Sequence, residues 1–142
     1  MTVDPERVRT LLDRLRAVEQ DLTRLRELGA EAVRGDTDRL NSVKYLFVVA
    51  AEIMIDTGQH VIATEGLETP TSFAAVFEEL DRAGWLTNGL ATTCADIARF
   101  RNLLVHGYAK VDDDRVVTIL HDHLDDLAAF RQQIASRSSR SA

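Results

Sequence analysis

The chain has one cysteine, Cys94, in 142 residues, which excludes a disulfide framework and fits a reducing cytoplasm. Two prolines and seven glycines are too few for the turn-rich punctuation of an all-β chain. No stretch near the N-terminus has the charged-then-apolar pattern of a secretory signal, because Arg and Asp recur through the first 16 residues. The longest apolar run, residues 45–51, is far shorter than a bilayer span, so no membrane partner is expected. A basic surplus is also missing. Seventeen Lys and Arg face 23 Asp and Glu, a net charge of −6, which argues against a protein that coats RNA or DNA non-specifically. What is present is ordinary for a globular chain: 45% hydrophobic residues, enough to exclude disorder and to build a core.

The hydrophobic spacing predicts helices. Val8, Leu11, Leu15, Val18, Leu22 and Leu25 alternate steps of three and four, with Arg and Glu on the other faces. Asp4 followed by Pro5 supplies a cap and a first-turn proline. Gly35, Asp36 and Thr37 break this helix and cap the next. The second helix, from Asp38 to about Thr64, is apolar on more than one face and so is expected at the centre. A third follows a Thr71 or Ser72 cap, carries Phe73, Val76, Phe77 and Leu80, and ends at Gly84 with Trp85 folding back. Thr87 or Asn88 caps a fourth helix that stops at Gly107. Residues 112–114, all Asp, open a fifth where the helix dipole favours acids. The expectation is an all-α antiparallel bundle of about five helices, one domain over residues 1–135, with a disordered tail at 136–142.

Chemistry concentrates in residues 99–110. Arg99, Arg101 and Lys110 face no acid within this stretch, so it forms a local basic site although the chain is acidic. His106 precedes Gly107 and so sits at a helix C-terminus, where the carbonyls favour the imidazolium. Asn102 and Tyr108 add an amide and a phenol. Arg binds phosphate oxygens with a fork, and His exchanges protons near neutral pH, so the set fits metal-free cleavage of an RNA phosphodiester. Arg101 and His106 are five residues apart, about 140° around a helix. Either the last turn unwinds, or two chains supply a composite site across a two-fold axis.

The string from Arg101 to Tyr108 resembles the Arg-x4-His-x-Tyr signature of the HepT-like branch of the HEPN superfamily. The resemblance extends to the Phe77, Leu80, Gly84, Trp85 and Leu86 pattern before it and the Val116 to Phe130 pattern after it. The second helix, with Lys44, Tyr45, Ala50, Ile53 and Ile62, fits as well. It implies a HEPN-type bundle dimerising, or assembling further, through the motif helices. It also implies a metal-independent endoribonuclease, the toxin of a type VII toxin–antitoxin pair. Arg101 and His106 match the catalytic pair and Asn102 its supporting polar neighbour. Tyr108 matches the tyrosine that an MntA-type nucleotidyltransferase antitoxin modifies with AMP, and Arg99 and Lys110 are candidate RNA contacts. A non-catalytic partner subunit that binds nucleotide or substrate for such a nucleotidyltransferase is the alternative.

The other polar residues read as structural. His121 and His123 point about 200° apart on a helix and do not chelate one ion, so no metal and no cofactor are expected. His60 is expected to be structural or at an interface, and Cys94, with no neighbouring base, to be buried packing.

Overall fold

The computed structural model describes residues 3–107 and 111–141. Six helices and no strand occur among them: α1 (Pro5–Glu27), α2 (Ala30–Arg34), α3 (Thr37–Thr64), α4 (Phe73–Arg82), α5 (Leu90–His106) and α6 (Asp113–Ser141). The all-α expectation holds, with one more helix than the five expected.

The extra helix arises at Gly29. Its φ of +93° turns the chain out of α1 before Gly35 is reached, and the short α2 follows. Arg34 at the end of α2 reaches Asp114 at 2.6 Å, pinning α2 to the start of α6.

The local signals at the other boundaries work as their chemistry dictates. The Asp4 and Asp36 carboxylates accept backbone N–H groups of the first turns of α1 and α3. Ser72 caps α4 through the Ala75 N–H at 3.1 Å. Gly84, at φ +83°, closes α4, with the Trp85 N–H donating to the Leu80 carbonyl at 2.8 Å. Asp112 caps α6 by accepting the Asp114 N–H. Neither Thr87 nor Asn88 caps α5. The N-cap is Gly89 at φ +77°, which makes no side-chain hydrogen bond, and the Thr87 N–H instead donates to Gln133 on α6.

The first helix buries its predicted stripe: Val8, Leu11, Leu15, Val18 and Leu22 are in the core. It runs antiparallel to α6, because Arg26 pairs with Asp125 and Glu19 with Arg131 farther along. The second of these pairs is largely buried, and both guanidinium hydrogen bonds to Glu19, at 2.7 and 3.0 Å, are made. The long helix α3 packs against all five others and is the centre of the bundle. By length and composition it is long and apolar enough to cross a membrane, but more than half of its apolar stretch is buried against the bundle. Phe47 of α3 meets Phe100 of α5 edge-on at 6.1 Å, and Phe77 of α4 meets Phe130 of α6 at 5.9 Å.

The tail expected to be disordered instead continues α6 to Ser141. Ser138 is buried, and the Arg137 guanidinium lies 5.4 Å from the centre of the Trp85 ring. Ser and Arg tolerate a helix that is already nucleated, and these contacts reward its extension.

Candidate functional site

The fifth helix is regular to its last residue. The Gly107 N–H donates to the Leu103 carbonyl at 2.7 Å, closing the final turn at His106. The last turn is therefore wound as helix in this structure. Within one chain Arg101 and His106 stay on different faces of α5.

Arg101 is set into the surface, its side chain 17% exposed. One nitrogen of its fork donates to Glu52 of α3 at 3.1 Å. The other donates to the side-chain oxygen of Asn102 at 3.1 Å. Its guanidinium lies 5.4 Å from the centre of the Phe73 ring, at the start of α4. Its Nε is buried and has no hydrogen-bond partner among the described residues. The Arg137 Nε, beside the Trp85 ring, is buried and unpartnered in the same way, so this condition is not peculiar to Arg101. Side chains from three helices thus hold this one arginine.

His106 is exposed at the C-terminus of α5, beside Val105, which is 44% exposed. Arg99 is also exposed, and donates to Asp96 at 3.1 Å. The local basic site is therefore compensated within the fold, Arg99 by Asp96 and Arg101 by Glu52. Tyr108 and Lys110 lie outside the described residues.

Glu52 was not among the residues singled out in the sequence. A signal for it exists: Glu52 and Asp56 are the only charges between residues 45 and 64. Two acids one turn apart on an otherwise apolar central helix mark the face where that helix meets something polar. Together with Ile55, Gln59, Phe73 and Arg101 they line a cavity of about 330 Å³.

The remaining candidates resolve into structure. His60 Nε2 accepts the Asp4 N–H at 3.3 Å, tying the start of α1 to α3. The His121 Nδ1 sits 2.9 Å from the Val117 carbonyl of its own helix, and the His123 Nδ1 lies 3.0 Å from Asp126. Among the described residues no three His, Cys, Asp or Glu side chains converge as a metal would require. Cys94 is fully buried, and burial, reinforced by Asp126, pushes its thiol pKa well up.

The described residues form an all-α bundle with the Arg-x4-His pair at the end of its fifth helix. The sequence matches the ribonuclease HepT-like family over residues 6–134, and the chain belongs to that family. Solved structures agree on the fold. The tri-AMPylated HEPN toxin of Shewanella oneidensis, in complex with its MNT antitoxin, superposes with a TM-score of 0.83 at 22% identity. That match covers 91% of this chain and 96% of the other. A mutant MntA–HpeT toxin–antitoxin gives a TM-score of 0.83 at 21% identity, covering 94% and 99% of the two chains. YutE, a cytosolic protein of unknown function from Bacillus subtilis, gives 0.85 at 16% identity over 99% and 94%. No curated protein sequence matches this chain.

Proposed function

We propose that this chain is a metal-independent endoribonuclease, the toxin of a cytoplasmic toxin–antitoxin pair, cutting RNA at a site that two copies of the chain build together. The observation that carries the reading is the geometry of α5: an inset Arg101 five residues before an exposed His106, on a helix that stays regular to its end. A single copy offers the two side chains on different faces, whereas a two-fold axis at this helix end brings an Arg101 and a His106 from different copies to one cleft.

In this cleft the Arg101 fork neutralises the phosphate as charge builds on it, a contribution on the order of 10² to 10³ in rate for one well-placed donor. His106 exchanges a proton with the 2′-hydroxyl or with the leaving oxygen. Asn102 holds the Arg101 fork from the side, and Glu52 holds its other end. The solved relatives in complex with an MNT antitoxin, one of them tri-AMPylated, support a nucleotidyltransferase as partner. Tyr108 stands two residues beyond His106, and AMP added to its phenol would put negative charge and bulk where the RNA phosphate docks.

The test is cleavage of a defined RNA by the purified chain in EDTA. Wild type is expected to cut, and Arg101→Ala and His106→Ala to lose at least about 100-fold while staying folded. Co-expression with the nucleotidyltransferase is expected to add AMP mass to wild type and none to Tyr108→Phe. Cleavage unchanged in the double variant would overturn the catalytic assignment, and AMP uptake by the Tyr108→Phe chain the regulatory one.

A further inference from the structure

The cavity that Arg101 borders is lined by more carboxylate than guanidinium. Glu52 and Asp56 bring two carboxylates against the one guanidinium, and Glu52 is already bound to it. Asp56 and Gln59 are exposed on α3 and line this cavity of about 330 Å³. That size falls in the range of small-ligand sites, about 300 to 1,000 Å³. Glu52, Asp56 and Gln59 stand at steps of four and three along α3, so they share one face. Ile55 adds a buried apolar part of the lining, and Phe73, a residue 37% exposed, adds a ring that already carries the Arg101 guanidinium at 5.4 Å. An aromatic face, a row of acceptors and an adjacent arginine are the parts with which proteins hold an unstacked nucleobase: ring on ring, with the base edge hydrogen-bonded to side chains.

We infer that this cavity is the subsite for the nucleobase next to the cleaved phosphate, and that it favours guanine. The inference rests on the ribonuclease reading of the neighbouring Arg101. Guanine presents two adjacent donors, N1–H and the N2 amino group, which match one carboxylate, and an O6 acceptor that the Gln59 amide can serve. Adenine and cytosine each present a single amino group on that edge, and uracil one N–H between two carbonyls that the carboxylates repel. Asp56 is the reading group, because Glu52 is committed to Arg101. Phe73 is the stacking platform and does not distinguish the bases.

The experiment is an NMR titration of the ¹⁵N-labelled full chain with GMP, AMP, CMP, UMP and inorganic phosphate, followed by Asp56→Asn and Phe73→Ala. GMP is expected to shift the amide signals of Glu52, Asp56, Gln59 and Phe73, and to bind about tenfold more tightly than UMP. Asp56→Asn should remove that preference, while Phe73→Ala weakens all four nucleotides by about tenfold. Both positions are exposed, and the dispersion of the same spectra reports that the variants are folded. Equal responses to all four nucleotides, or a response to inorganic phosphate that matches GMP, would overturn the guanine subsite. So would GMP shifts confined to other helices. Cleavage assays separate this from the parent reading. A chain that cuts RNA but shows no GMP response on α3 loses the subsite alone. A chain that binds GMP there through Asp56 but cuts no RNA retains the base pocket and loses the nuclease.

Discussion

Cys94 shows how far one residue's surroundings set its chemistry. Its thiol is fully buried in α5 and pushed well above its ordinary pKa of 9.0 by burial, with Asp126 adding to the effect. In the unfolded chain the thiol loses its proton from about pH 9 upward, while the folded chain keeps it, so the native state then binds more protons than the unfolded state. Stability must therefore fall as pH rises through that window, by up to about 1.4 kcal/mol per pH unit from this group. Urea denaturation between pH 8 and 11 should show a steeper loss for wild type than for Cys94→Ala, and parallel curves would contradict the assignment. Arg101 is the counterpart at the surface. Its place in the motif was legible because Arg, Asn and His stand within six residues. Its partners were not, because Glu52 lies 49 positions away and meets it only when α3 and α5 pack. Local patterns report helix positions, whereas the ion pair and the Phe73 contact are products of tertiary packing.

At the scale of elements, helix ends were read well where a side chain or glycine acts on its own neighbours. Ser72, Gly84, Gly107 and Asp112 each satisfy or terminate backbone groups within about one turn. Gly29 was missed because a left-handed glycine followed by Ala-Glu-Ala starts a new short helix without any polar cap. Residues 136–141 were missed because their order comes from Trp85 and the bundle, not from their own composition. The close approach of α3 and α4 depends on Gly58. A Cβ there would overlap Val76 Cγ1 and press on Leu80 Cδ1 at 3.2 Å, and both residues are fully buried. Overpacking costs about 1–3 kcal/mol, and the helix-propensity gain of replacing glycine returns at most about 1 kcal/mol. Gly58→Ala is therefore expected to destabilise by about 1–2 kcal/mol in urea denaturation. A stabilised variant would mean that α4 moves away at no cost.

For the whole molecule the net charge of −6 argues against broad coating of RNA, and the structure strengthens the point, since Arg99 and Arg101 both have acidic partners. On the proposed ribonuclease reading, attraction for a phosphate is then local, at Arg101, in a cleft that a second copy would complete. The regular α5 makes this a claim about assembly, because no single chain of this fold aligns Arg101 with His106 on one face. The most direct measurement is subunit mixing. Arg101→Ala and His106→Ala chains, each inactive alone, are unfolded, mixed in equal amounts, refolded and assayed on RNA. If the site is shared, half of the dimers carry one variant of each kind, and one of their two sites has an intact Arg101 from one copy and an intact His106 from the other. Activity should return to about a quarter of wild type. A mixture that stays inactive beside an active, identically refolded wild type would contradict the shared site.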